Sequence, residues 1–145
     1  AAGEKHTILL RSDGRVVACG YSRYGQCAIP TLDEGLSYAQ VAAGTYHTIF
    51  LRSDGSVVAC GHNWYGQCAI PTLDEGLSYT RVSTGLIHTV LLRSDGSVVA
   101  SGRNLQGNCD IPSLEPGVSY VTDMPRGRAI VVQLGRPKFC GDNRY

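Results

Sequence analysis

The sequence predicts an all-β fold, a partial β-propeller, and three observations lead to it. The string HTILLRSDGRVVACG starts at His6 and returns with few changes at His47 and His88, so the chain repeats itself every 41 residues. A period of this length is typical of solenoids and propellers. Apolar residues nowhere keep a helical spacing, and 18 glycines in 145 residues indicate many turns. We expect about three and a half blades of three to four short strands each.

The first two strands of each copy follow from a hairpin signal. In the second copy, residues 48–51 (TIFL) are β-branched and aromatic, RSDGS comes next, and residues 57–60 form a second apolar run. An Asp-Gly pair between two such runs is a strong hairpin signal, and we expect a type I′ turn with positive φ at both central residues. A third strand is expected at 79–82, after the Pro- and Gly-containing connection IPTLDEGLS.

The copies define one domain, with a fourth copy that is degenerate. Ala129 stands where the next repeat histidine would fall, and the turn sequence Ser-Asp is lost after it. Both ends of the chain fall inside a repeat. We therefore expect either a portion of a longer protein or a half ring completed by a second chain or neighbouring subunits. We favour a portion of a longer protein, because a two-chain ring would lack a strand and a loop at each junction. The domain spans 1–145, with blades at about 3–43, 44–84 and 85–125 and a partial one at 126–145.

The combined pattern of the copies resembles the regulator-of-chromosome-condensation repeat. In the second copy the pattern is carried by Gly44, His47, Thr48, Leu51, Asp54, Gly55, Gly61, Asn63, Gly66 and Gln67. The resemblance implies a seven-bladed β-propeller, here with compact three-stranded blades, and seven such blades need about twice this length. Proteins with similar repeats include nucleotide-exchange factors, substrate-binding domains of ubiquitin ligases, chromatin-associated proteins and enzyme inhibitors. The resemblance therefore implies a protein partner.

Composition narrows the classes of partner. The formal net charge is +1 and no basic run is present, so we expect no nucleic-acid partner and no binding to an acidic membrane surface. No apolar stretch approaches the roughly 18 residues that a membrane span needs, so we expect no direct membrane insertion. No targeting segment is visible, which leaves the compartment unknown, with a lean towards the inside of the cell.

No pattern in the sequence indicates catalysis. A Gly-x-Ser-x-Gly elbow, a His-Glu-x-x-His pair and a carboxylate pair in a cleft are all missing from the sequence, so we expect no enzyme, no cofactor and no metal. His6, His47 and His88 fall once per blade and would be spread around a ring. We interpret them as structural histidines that bond the backbone of a neighbouring blade.

The six cysteines fall at two positions of the repeat. We interpret them as free buried thiols that behave as small apolar side chains. Disulfides within a copy, Cys19 with Cys27 and Cys60 with Cys68, remain open alternatives, although Ser101 prevents the equivalent bond in the third copy. The cysteine count is therefore weak support for an oxidising compartment.

Positions that change between otherwise similar copies indicate a binding surface. They gather in the loop after the second strand of each copy and in the pair of residues before each repeat histidine, and Tyr, Trp, Arg and His are frequent among them, as in interface hot spots. The alternative is that these side chains simply pack on their neighbours. The partner-binding candidates are Tyr21, Arg23, Tyr24, Tyr46, His62, Trp64, Tyr65, Arg103 and Leu105.

Three kinds of function remain open for such a surface. The leading one is a non-enzymatic propeller scaffold that binds a partner protein through one loop face. A lectin-like site for a small ligand would place similar side chains at equivalent positions, whereas Tyr21, His62 and Arg103 differ in kind. The third is a structural subunit in which neighbouring chains complete the partial ring.

Overall fold

The computed structural model describes residues 1–104 and 110–111, together with the backbone of three further strands at 120–123, 130–133 and 136–139. All regular secondary structure in this part of the chain is β-strand, arranged in four antiparallel sheets. The prediction of an all-β partial propeller is confirmed. Within the described ranges, no helix of the length and apolarity that a membrane crossing requires is found.

The strands follow the 41-residue period. The first sheet contains β1 (His6–Leu10) and β2 (Val16–Gly20), and the second contains β3 (Tyr38–Ala43), β4 (His47–Arg52) and β5 (Val57–Gly61). The third contains β6 (Tyr79–Thr84), β7 (His88–Arg93) and β8 (Val98–Gly102), and the fourth contains β9 (Tyr120–Asp123), β10 (Ile130–Gln133) and β11 (Arg136–Phe139). The predicted hairpin and third strand are confirmed.

The sheets begin one strand earlier than the sequence periods. Each sequence period starts at the glycine three residues before the repeat histidine, so β3 falls at the end of 3–43 and β4 at the start of 44–84. In the structure β4 pairs with both β3 and β5, so each complete sheet takes its first strand from the end of one period and its other two strands from the next period. The chain thereby links neighbouring copies through the sheets themselves.

The turn type at the Asp-Gly pair is a correction. Gly55 N donates to Arg52 O at 3.0 Å and Arg52 N donates to Ser56 O at 2.9 Å, so the loop has three residues, 53–55. Asp54 and Gly55 are therefore not the two central residues of a type I′ turn. Gly55, at φ 82°, closes a turn of the three-residue kind instead, and the Asp54 carboxylate accepts the Ser56 N–H at 2.9 Å.

The apolar core lies between neighbouring sheets. Ile8 of the first sheet packs against Tyr38 and Phe50 of the second, whose rings lie 5.1 Å apart between centroids. On the other face of the second sheet, Ile49 packs with Leu91 of the third. Because successive strand residues point to opposite faces, one strand supplies both cores. A blade is therefore stabilised by its neighbours rather than by itself.

The outward face of the first sheet is uncovered. Phe50 and Leu91 are completely buried by the preceding blade, whereas Leu9, at the same position of the first copy, is 53% exposed. Val17 of β2 on the same face is 44% exposed. The apolar side chains of this face are therefore exposed, whereas Phe50 and Leu91, at the equivalent position of the second and third sheets, are covered by the preceding blade.

Candidate functional site

The variable loops are brought together at one end of the sheets by backbone hydrogen bonds. His62 N donates to Tyr46 O at 2.8 Å, and the equivalent bonds join Tyr21 to Lys5 at 2.9 Å and Arg103 to Ile87 at 3.0 Å. The loop after the last strand therefore lies beside the loop before the repeat histidine in all three described copies. We call this the loop end; it comprises residues 4–5, 21–26, 45–46, 62–67, 86–87 and 103–104, with Asp110, whose carboxylate accepts the Asn104 amide at 2.9 Å.

A buried glutamine shapes each of the first two loops. Gln67 is only 2% exposed, and its side-chain oxygen accepts the backbone N–H of Tyr65 at 3.0 Å. Gln26 makes the same bond to Tyr24 at 3.1 Å. This role was missed from the sequence, although Gly-Gln recurs in both copies. The repeated Gly-Gln pair was a signal that could have identified it.

Tyr24 is the centre of a cluster of rings that joins the first two blades. Its ring centroid lies 5.1 Å from that of Tyr46, 5.0 Å from that of His62 and 6.3 Å from that of Tyr21. Tyr21 and Tyr46 are 6.0 Å apart. Such distances are those of packed, tilted aromatic pairs. The tyrosines therefore pack on their neighbours, as the alternative interpretation of the loops expected.

The same contact is repeated at the next junction with different chemistry. His62 begins the second loop and lies edge-on to Tyr24 of the preceding copy; Arg103 begins the third loop, and its guanidinium carbon lies 5.5 Å from the centre of the Tyr65 ring. His62 also contacts Trp64 at 5.0 Å and Tyr65 at 6.1 Å. The first residue of the second and of the third loop thus covers a tyrosine of the blade before it, which makes the cluster continuous across three copies.

Exposure separates the packed rings from the accessible ones. Trp64 is 85% exposed, although its ring rests against His62, and Tyr65 is 47% exposed. Arg23 is exposed in the same loop as Tyr24. Leu86, which was not among the named candidates although its loop pair was noted as variable, is exposed as well. Of the predicted set, Leu105 lies outside the described residues.

The hydrogen bonds of Gln67 fix the proton on His62. Because the Tyr65 N–H can only donate, the oxygen of the Gln67 amide must face it, and the amide nitrogen must face His62. That nitrogen lies 2.8 Å from Nδ1 of His62, so Nδ1 accepts and the ring proton is on Nε2. In the first copy Tyr21 offers no such acceptor, and Nε2 of the buried Gln26 has no partner. His62 therefore presents an N–H at the loop end.

The repeat histidines connect neighbouring blades, but not through the backbone alone. Nε2 of His6 lies 2.7 Å from the hydroxyl of Thr48, and Nε2 of His47 lies 3.1 Å from that of Thr89. The Thr48 hydroxyl in turn donates to Gln26 O at 2.7 Å. The expected backbone partner is thus corrected to a threonine side chain, which relays the bond to a backbone carbonyl.

The threonine contacts make Nε2 the donor nitrogen of His6 and His47, and burial favours the neutral form of these rings. Since the threonine hydroxyl uses its proton on the carbonyl, it must accept from Nε2–H. Burial lowers the pKa of His47 to about 4, helped by the nearby His88 and His6. Burial also lowers the pKa of His6 and of His88.

No group of three or more His, Cys, Asp or Glu side chains placed to hold a metal ion occurs among the described residues.

The four cysteines within the described ranges are free thiols, so neither within-copy disulfide is formed. Their burial is less than expected, since Cys19 is exposed and the other three are half-buried. Cys60 and Cys68 donate to backbone carbonyls, at 3.4 Å and 3.3 Å. Burial raises the pKa of Cys60 to about 11 and that of Cys68 to about 12, which makes both poor nucleophiles. Cys109 and Cys140 lie outside the described side chains.

Two comparisons find proteins of similar pattern and shape. The regulator of chromosome condensation (RCC1) repeat matches residues 1–26 and 38–67. The structure of human WBSCR16 superimposes with a TM-score of 0.75 at 19% identity, over 90% of this chain and 44% of that one. Prp20p from Saccharomyces cerevisiae gives a TM-score of 0.67 at 17% identity, over 98% of this chain and 37% of that one. The comparison with curated proteins gives no match.

A plant receptor ectodomain shares the fold as well. The CRINKLY WD40 ectodomain of the Arabidopsis thaliana receptor kinase ACR4 gives a TM-score of 0.65 at 20% identity, over 94% of this chain and 51% of that one. The chain thus spans between about a third and a half of each of these structures. The chain is therefore similar to regulator of chromosome condensation (RCC1) repeats over residues 1–26 and 38–67, and it shares the β-propeller fold of these structures.

Proposed function

We propose that the chain is a non-enzymatic protein-interaction module that binds a partner protein through its loop end. The observation that carries this proposal is Trp64, 85% exposed on top of a packed cluster of rings. Trp, Tyr and Arg are enriched among the residues that dominate the binding energy of protein interfaces, and Trp and Tyr bury much area at little entropic cost. A protein of similar fold supports the proposal of a protein-interaction module: yeast Prp20p binds Gsp1p and histones, and it has been crystallised bound to Kap60.

The ring geometry favours a protein surface over a pocket for a small ligand. Tyr21, Tyr24 and Tyr46 form a triangle with sides of 5.1 to 6.3 Å between centroids. Rings so close touch one another, so no guest fits between them. A lectin-like binder would also repeat one side chain at equivalent positions, and these positions hold Tyr21, His62 and Arg103. One extended partner that crosses several blades suits the loop end better.

A second function, a structural subunit of a larger ring, is favoured by a separate observation. Leu9 and Val17 are exposed on a sheet face whose counterparts are covered inside the chain. That face lies on the side of the first sheet, whereas the aromatic cluster lies at the ends of the strands. Ring completion and partner binding therefore use different surfaces, and both can hold for the same protein.

Site-specific photo-crosslinking tests the proposal. A photoreactive residue at position 64 is expected to capture a partner from cells of the source, and one at Asp74, on an exposed turn at the other end of the sheets, is not. Trp64→Ala is expected to weaken binding of the captured partner about 30-fold or more, in line with a hot-spot loss of about 2 kcal/mol. Unchanged circular dichroism would show that the fold is intact. Equal capture at positions 64 and 74 would contradict the proposal.

A further inference from the structure

We infer that the segment bound at the loop end is acidic: a stretch of the partner with carboxylate side chains beside an apolar one. This inference rests on the proposed function and adds the chemistry of the partner. It follows from the charges at the two ends of the sheets, from the hydrogen-bond donors that the cluster presents, and from the lack of ion pairs around the cluster in the part of the chain that the structure describes.

Charge is distributed unequally between the two ends. The described loop end carries three cations, Lys5, Arg23 and Arg103, against two carboxylates, Glu4 and Asp110, a net charge of +1. Among the described residues, the opposite end, made of the hairpin turns and the long connections, has a net charge of −3. It carries Asp13, Asp33, Glu34, Asp54, Asp74, Glu75 and Asp95 against Arg11, Arg15, Arg52 and Arg93. An acidic segment is therefore attracted to the aromatic cluster and repelled from the other end.

The charges of the loop end are not neutralised within the described part of the chain. The described residues contain an ion pair between Arg11 and Asp13, at 2.7 Å, and it lies at the opposite end. The carboxylates of the loop end already accept neutral donors: Glu4 accepts the Thr45 hydroxyl, and Asp110 accepts the Asn104 amide. The Arg103 guanidinium instead lies over the ring of Tyr65, is exposed, and forms no ion pair with the described carboxylates.

The polar groups around Tyr65 are donors. The hydrogen bond from Gln67 leaves the proton of His62 on Nε2, for which no partner occurs in the described residues. The indole N–H of the exposed Trp64 is likewise a donor only. His62 lies 6.1 Å and the Arg103 guanidinium carbon 5.5 Å from the centre of the Tyr65 ring. An extended segment advances about 3.3 Å per residue, so three or four residues reach both donors while an apolar side chain packs on Trp64.

The sole tryptophan of the chain provides the assay, since Trp64 is exposed at the loop end. Its fluorescence is titrated with three soluble peptides of equal length: one alternating Glu or Asp with Leu and Phe, its amide counterpart with Gln and Asn, and a neutral proline-rich peptide. We expect the acidic peptide to bind at least tenfold more tightly than the other two, and raising the salt from 50 to 300 mM to weaken that binding severalfold.

Arg103→Gln is expected to reduce the affinity for the acidic peptide about tenfold and to leave the weak binding of the amide peptide unchanged. Arg15→Gln, which removes an exposed cation from the opposite end, is the matched control and should have no effect. Preference for the amide or proline-rich peptide would overturn the inference. Capture of a protein at position 64 without any preference for acidic peptides would also overturn it while leaving the proposed function intact. Absence of both peptide binding and capture would overturn both.

Discussion

Acid should weaken the packing of the blades through His47. This histidine is completely buried, and its Nε2–H is used on the Thr89 hydroxyl of the next blade. Burial lowers its pKa to about 4 from an ordinary value of 6.5. The folded chain therefore holds His47 neutral at pH values where the unfolded chain protonates it.

The sign and size follow from that difference. The unfolded state binds the extra proton once the pH falls below 6.5, so the contribution of His47 is complete above that value and declines as the pH falls towards 4. Between pH 7.5 and 5.0, the pKa of about 4 implies a loss of about 2 kcal/mol in the free energy of unfolding from this residue. The pKa values of His6 and His88 are also lowered, so each adds a loss of the same sign.

Urea unfolding followed by circular dichroism at several pH values provides the measurement. The wild-type chain is compared with His47→Gln, which removes the titrating ring, and with His62→Gln, which removes a ring at the loop end. His47→Gln is less stable at pH 7.5, but its stability should fall by about 2 kcal/mol less than that of the wild type down to pH 5.0. Parallel pH profiles for the wild type and His47→Gln would refute the reasoning.

Two further pairs of substitutions, each with its own control, test the packing. Gly44→Ala places a Cβ on the ring atoms of His47 and should lower the melting temperature by several degrees. Gly76→Ala is the control: nothing lies within 4 Å of the added carbon, so this variant should cost only the strain of its positive φ. Phe50→Ser should lower the free energy of unfolding in urea by at least about 3 kcal/mol, because the Phe50 ring is fully buried between blades. Leu9→Ser, at the same repeat position, should lower it by less than about 1 kcal/mol and should reduce self-association in light scattering. Equal losses at Phe50 and Leu9 would contradict the proposed exposure of the first sheet.

The period and the hairpins were predictable because they depend on residues close together in the chain. The segments at 48–51 and 57–60 are short β-branched and apolar runs that enclose a turn sequence, and the structure contains both strands. The turn type was wrong because Asp-Gly fits both a two-residue and a three-residue loop, and the hydrogen bond from Gly55 to Arg52 decides between them. That choice depends on strand register, which a single short motif does not determine.

The candidate site was predictable as a set of positions but not as a set of contacts. Variation among copies identified His62 and Arg103 as members of one loop position, yet their contacts with Tyr24 and Tyr65 depend on how one blade sits on the next. The thiols show the same limit: the position of Cys19 in a strand suggested burial, but Cys19 lies exposed in the first sheet. Contacts between copies are long-range, and the local sequence of one copy contains little information about them.

The repeated contact explains how a propeller varies its surface without changing its fold. The backbone bond from His62 to Tyr46 recurs between Arg103 and Ile87, so the first loop residue occupies one fixed position at each junction. Its side chain covers the tyrosine of the preceding blade whether it is an imidazole or a guanidinium, since both pack on an aromatic ring. The fold therefore constrains where this side chain lies but not whether it is charged. The charge of the proposed binding surface can therefore change at this position from copy to copy while the blades keep their packing.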